Sequence, residues 1–186
     1  MNYLSEAISL QHFLQNVRQT LHRAPELGNQ EFKTAAYLKQ VLESLGLTVE
    51  TPFGTALCAT LYGTRPGKTV ALRADMDALS ISELTGAEFS SQSPGIMHAC
   101  GHDIHMTAAV GTAALLAAHR ETFCGAIRFL FEPDEEGCGG AQQLIDAGCL
   151  RNVDAVFGAH VSPELPLGSV GIRYGKFYAA SDTFSI

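Results

Sequence analysis

Met97-His98-Ala99-Cys100-Gly101-His102-Asp103-Ile104-His105-Met106 places three histidines, a cysteine and an aspartate within ten residues. Residues 103–120 then continue as a long alanine-rich stretch, the pattern of a buried helix opening straight from the Cys-Gly-His segment. Polar groups crowded at the mouth of such a helix are costly unless something compensates for them. Thiolate, imidazole and carboxylate are the side chains that hold zinc and related divalent ions. The positive end of the helix dipole also favours a thiolate at Cys100.

Outward from this stretch, apolar spacing predicts helices over residues 6–22 and 30–46, the second stopped by Gly46. Residues 55–62 and 69–74 read as strands around a turn from Gly63 to Lys68. Downstream, 125–132 reads as a strand, 139–148 as a short helix ended by Gly148, and 154–159 and 168–174 as strands. Strands alternating with helices predict an α/β fold with a largely parallel sheet.

That order puts the polar motifs in register. Asp75 and Asp77 follow the 69–74 strand, Glu135 and Glu136 follow Ile127–Phe131, and His160 follows Ala155–Gly158. All lie just past carboxyl ends of predicted strands, the edge of an open α/β sheet where ligands bind. Cys100 and His102 are two apart on a loop, so both can point at one ion, and Glu136 and His160 complete four donors. If the segment after the strand stays extended, Glu135 and Glu136 point to opposite sides. One then ligates while the other meets substrate. A metal-activated water with a carboxylate to move its proton suits hydrolysis of an amide or similar acyl bond.

Taken singly, these residues have plainer readings. The Glu pair reads as a solvated turn, His160 as a strand-end residue, and Asp75 and Asp77 as helix caps. His98 reads as a hydrogen-bonding neighbour, and His105 as either a supporting residue or a substrate contact. Cys58, Cys124, Cys138 and Cys149 read as core or incidental residues, and His22 and His119 as ordinary helix residues. The conjunction of all the motifs is what points to a metal.

Bulk properties narrow the class. The 186 residues fit one domain, with the start of a second, and 46% hydrophobic against 17% charged residues suits a packed core. A net charge of −7, with twelve scattered Lys and Arg, excludes a nucleic-acid stripe. No apolar run approaches the ~18 residues of a membrane span. The N-terminus lacks a signal-peptide pattern. Five cysteines without framework spacing read as free thiols of a cytoplasmic protein.

Five ordered motifs carry a family resemblance: Leu21-His22-Arg23-Ala24-Pro25-Glu26-Leu27, Arg73-Ala74-Asp75-Met76-Asp77-Ala78-Leu79, Met97–His105, Phe131–Gly140 and Gly158-Ala159-His160-Val161-Ser162-Pro163, with Ala179-Ala180-Ser181-Asp182 after them. The chain resembles the amidohydrolase branch of the M20 metallopeptidases. That branch includes hippurate hydrolases, N-acyl-amino-acid deacylases, N-acetyldiaminopimelate deacetylases and plant auxin-conjugate hydrolases. The resemblance implies a three-layer, zinc-exopeptidase-like catalytic domain with a mostly parallel central sheet. It makes Cys100, His102, Glu136 and His160 metal ligands, Glu135 the general acid/base, and Asp75, Asp77, Asp103 and His105 supporting residues. It also implies two divalent ions per full-length subunit (zinc, manganese, nickel or cobalt), small N-acyl amino acid substrates, and a homodimer formed through a lid domain.

Two departures stand out. Glu132 and Asp134 replace the usual Gln and Ala before the Glu pair, adding charge that would raise the Glu135 pKa or draw a further cation. The chain also ends before the lid. Residues 1–174 are expected to form the N-terminal part of the catalytic domain and 175–186 the entry to the lid, with a further metal-binding histidine outside the sequence and little activity from these residues alone. A non-catalytic remnant or metal-binding module is the alternative from another class. A cysteine hydrolase using Cys100 ranks lower, since two adjacent carboxylates serve no purpose in it.

Overall fold

The computed structural model describes residues 2–137 and 139–176; Cys138, the Ala179–Asp182 segment and most of the expected lid entry lie outside them. The helices are α1 (Tyr3–Ser9), α2 (Gln11–Arg23), α3 (Phe32–Ser44), α4 (His102–Ala118) and α5 (Gly140–Asp146). The strands are β1 (Thr48–Glu50), β2 (Leu57–Tyr62), β3 (Thr69–Asp75), β4 (Ala126–Glu132) and β5 (Ala155–Gly158).

The five strands form one sheet in the order β1-β2-β4-β3-β5. β3 runs parallel to both β4 and β5, while β2 is antiparallel to both β1 and β4. Four of the five strands therefore share a direction, and β2 alone is reversed. The sheet is mostly parallel, as expected.

Period-two alternation divides the sheet into two faces. Leu57, Ala59, Leu61, Phe129 and Phe131 pack with Val17, Leu21, Leu38, Leu42, Met106 and Val110 of the α2–α4 layer. Ala56, Cys58, Ala71 and Leu130 face the other way, onto Leu144 and Cys149 around α5. This gives three layers. The alanines of α4 let its backbone lie close to β3 and α2, which is why a helix apolar on nearly every side is stable here. Truncating Phe129 or Phe131 would open a cavity worth about 3–5 kcal/mol.

Two expected elements differ and one is added. The helix over 6–22 is two helices broken at Leu10, where the Ser9 hydroxyl bonds back to the Glu6 carbonyl at 2.6 Å and so competes with the helical ladder. α1 buries none of its residues; it rests on the end of α4 through the Glu6–His119 ion pair and Tyr3 against the His119 ring. The short β1 was not expected. Residues 168–174 form no strand: among the described residues they pair with no neighbouring strand, and Val170 and Ile172 are exposed. β5 is an edge strand with both faces open, Val156 being 52% and Phe157 61% exposed. No helix among the described residues is long and apolar enough to cross a membrane.

Candidate metal centre

The parallel strands bring the motifs to one edge. Asp75 at the end of β3 pairs with Glu132 at the end of β4, and Arg73 with Gly158 at the end of β5. Asp77, the Glu pair and His160 follow within a few residues. Gly101 turns the chain into α4 in the left-handed region, at φ 83°, a conformation natural to glycine. This places Cys100 just before the helix and His102 as its first residue.

Ligand atoms of Cys100, His102 and Glu136 all lie within 4.8 Å of one another. Cys100 Sγ is 3.7 Å from His160 Nε2. The four expected ligands are thus brought together. His102 is the centre of the arrangement: its Nε2 lies 3.7 Å from Asp75, 3.8 Å from Glu136 and 3.9 Å from Glu135. Its Nδ1 lies 3.3 Å from Asp77 Oδ1. Both ring nitrogens and Asp77 Oδ1 are buried without a hydrogen bond of regular geometry. An imidazole nitrogen with no partner, facing a thiol and carboxylates, fits a divalent cation. The carboxylate behind the opposite nitrogen is the usual support of a ligating histidine.

The Glu pair does not alternate as an extended segment would. Asp134 sits at φ 54°, residues 135–137 form a turn, and the Glu136 amide donates to Asp77 Oδ2 at 2.9 Å. This turn aims both carboxylates at the same imidazole, instead of to opposite sides. Burial holds Glu135 above the usual carboxylate range, opposed by Arg73 and reinforced by Asp75 and Glu136. Burial would also raise Asp75 and Asp77, but the hydrogen bond with His105 for the first, and His102 with the Glu136 amide for the second, hold both below the ordinary range. His102 is raised: burial opposes its charge, and Asp77 and Asp75 outweigh that.

Cys100 departs from expectation. Burial, then Glu136, pushes its thiol up to about 12, so the carboxylates overcome the helix mouth. A thiolate there needs a cation to balance it. This is the opposite of the electropositive setting that activates a cysteine nucleophile.

The two unusual acids do not load Glu135 with charge. Glu132 accepts from Arg73 Nε at 2.6 Å. Asp134 accepts from Asn29 Nδ2 at 2.7 Å, and its amide donates to the buried Glu31 at 2.9 Å. Arg73 also donates to Asp75 at 2.6 Å and lies 3.9 Å from Glu135. It is the cation that balances the carboxylates of this edge. Its place was legible in retrospect: Arg73 and Asp75 are two apart on one strand and so share a face.

Asp103, expected beside the metal site, turns away from the ligands. It accepts from Arg18 Nε at 3.1 Å and lies 2.9 Å from His22 Nδ1, tying the start of α4 to α2. His22, read as ordinary, is buried with its other nitrogen 3.2 Å from Glu83. Glu83 also accepts from the Ser91 amide at 2.6 Å and from the Thr85 hydroxyl. Against burial, these donors and His22 hold Glu83 down to about 2. A carboxylate held low stabilises the fold above its ordinary range and loses that contribution as pH falls toward its folded value. Glu83→Gln is therefore expected to lower the thermal midpoint at neutral pH, with the gap to the parent closing between about pH 4.5 and 2. A gap independent of pH would contradict this. His98, expected to hydrogen-bond, is buried with neither ring nitrogen in a regular hydrogen bond, and burial pushes it down to about 4. A cleft of about 650 Å³ opens over Cys100 and His160, walled by Arg18, Phe89, Ile104 and Val161, enough for a small-molecule ligand.

Comparison with known proteins gives the family. The model of peptidase family M20/M25/M40 matches residues 71–184. The chain is 42% identical over 181 residues to thermostable carboxypeptidase 1 of Saccharolobus solfataricus, covering 95% of this chain and 46% of that protein. It is 46% identical over 171 residues to an N-acyl-L-amino acid amidohydrolase of Geobacillus stearothermophilus, covering 91% of this chain and 46% of the relative. It superposes with a TM-score of 0.86 on Bacillus subtilis YXEP, described as a dinuclear metal binding peptidase, at 40% identity, with 89% of this chain and 46% of that one covered. The chain therefore spans about half the length of the curated relatives it matches. The family model covers more than half of the chain and the relatives exceed 40% identity, so the chain belongs to the M20/M25/M40 peptidase family.

Proposed function

We propose that the protein hydrolyses the amide bond of N-acyl amino acids or similar small amides in a metal-dependent reaction. The observation that carries this reading is the buried, unpartnered His102 Nε2 surrounded by Cys100, Glu136 and Glu135. Cys100, His102, Glu136 and His160 would hold the metal, drawn from zinc, manganese, nickel or cobalt, with two ions in a chain of the relatives' length. When bound, the metal supplies Lewis acidity to the scissile carbonyl and to water.

The remaining chemistry belongs to the chain. Asp77 orients the His102 ring and pins the Glu136 amide. Glu135, raised by burial yet 38% exposed at its side chain, would accept a proton and return it to the departing amine. Arg73 limits the repulsion between Glu135 and Asp75. One relative is an N-acyl-L-amino acid amidohydrolase, which supports the substrate class. The domain division at 174/175, a homodimer through the lid and a cytoplasmic location belong to the same proposal.

One observation favours a second reading, a metal-binding module without turnover: the β5 edge is open on both faces. Residues 1–186 by themselves are accordingly expected to turn over little. The test is release of free amino acid from N-acetyl and N-benzoyl amino acids by a form of the relatives' length, before and after chelation. Activity removed by chelator and restored by a divalent ion is the expected result. Amide hydrolysis that survives complete chelation would overturn the proposal.

A further inference from the structure

The buried His105 has both ring nitrogens engaged. Nδ1 lies 2.6 Å from Asp75 Oδ1, and Nε2 receives the Val161 amide at 2.9 Å. A backbone N–H can only donate, so Nε2 carries a lone pair. A ring with its lone pair on Nε2 carries its N–H on Nδ1, which donates to Asp75 Oδ1. The ring is locked in one tautomer with no lone pair left over. Ligand atoms of Asp75, His102 and His105 do come within 4.8 Å of one another, but this hydrogen bonding takes His105 out of that set.

Val161 directly follows His160. The β3–β5 ladder ends at Gly158, so strand pairing does not reach the ligand. Beyond it, Val161 is seated twice: its amide on His105, and its side chain over Gly101, where a Cβ would meet Val161 Cγ2 at 2.5 Å. Gly101 lies between Cys100 and His102. The seat therefore registers the β5 loop directly against the first two ligands, and His160 Nε2 ends 3.7 Å from Cys100 Sγ.

We propose that His105, clamped between Asp75 and the Val161 amide, is a positioning residue that sets His160 as the last donor of the metal centre and is not itself a ligand. The proposal rests on the reading of His160 as a metal ligand.

Two substitutions separate the halves of the clamp. His105→Gln puts an amide oxygen near the place of Nε2, keeping an acceptor for Val161 while losing the Asp75 link. His105→Asn keeps a donor for Asp75 and loses the Val161 acceptor. The probes are cobalt(II) titration of the 186-residue chain, read by its visible absorption, and nitrogen-15 NMR of the metal-free protein. In the parent, a coupling across the hydrogen bond between the Val161 amide nitrogen and His105 Nε2 is expected. Cobalt affinity is expected to fall about 10- to 100-fold in His105→Asn, the range typical of residues that orient a ligand, and distinctly less in His105→Gln. His160→Ala serves as the reference for loss of the ligand itself.

A protonated Nε2 in the parent would overturn the proposal. So would parent-like cobalt binding by a folded His105→Asn when His160→Ala has lost it; that result spares the metal reading. Parent-like binding by His160→Ala, or a folded parent that binds no cobalt, would overturn the metal reading underneath.

Discussion

Arg73→Ala is expected to destabilise the folded chain by about 3–5 kcal/mol, the cost of removing one partner from buried charges. Asp75 is 1% and Glu132 2% exposed, and each accepts one 2.6 Å hydrogen bond from the Arg73 guanidinium. Without it, two carboxylates face each other across the β3–β4 pair with their shared cation gone. Lysine is no substitute, because a single ammonium does not reproduce the fork that serves both acids at once. Denaturant unfolding of parent and variant at neutral pH gives the measurement. Adding Glu132→Gln to Arg73→Ala should recover part of the loss, since it removes one of the stranded charges. A single-variant loss under about 1 kcal/mol would mean that the guanidinium is a surface decoration of this edge.

Glu135→Gln is expected to lower the turnover of any active form of the protein by about 10²- to 10⁴-fold, the usual contribution of a positioned acid or base, while leaving bound metal in place. Cys100→Ala is expected to do the reverse in elemental analysis, releasing metal from a folded chain. The contrast follows from geometry. Glu136 is pinned through its amide to Asp77 and shares a tight group with Cys100 and His102. Glu135 stands beside that group, 38% exposed at its side chain and next to Arg73. Metal lost from Glu135→Gln as fully as from Cys100→Ala would make Glu135 a ligand and remove the proposed proton carrier.

Much of this site is written in local pattern. The Cys-Gly-His motif opening an apolar helix, and acids following strands, are short-range features. The parallel β-α order forces those strand ends to one edge, so the convergence of Cys100, His102, Glu136 and His160 could be read before the fold was known. Errors arose where one residue's backbone or one contact across the fold decides the outcome. The left-handed Asp134 turns Glu135 and Glu136 to the same side. The back-bonded Ser9 splits a helix that apolar spacing runs together. Residues 168–174 carry strand-like composition but meet no partner strand among the described residues.

The sequence by itself therefore determined the α/β fold and which donor types gather at one edge of the sheet, because hydrophobic period and motif spacing are properties of adjacent residues, and its motifs carried the resemblance to the family. Only the tertiary structure decided how charge is balanced around that centre. Arg73 answers Glu132 and Asp75, Asp103 turns to Arg18 and His22, and His105 closes on Val161. Most of these pairs join residues far apart in the chain, and their strength depends on burial and on distances of a few ångströms, which spacing along a sequence does not encode.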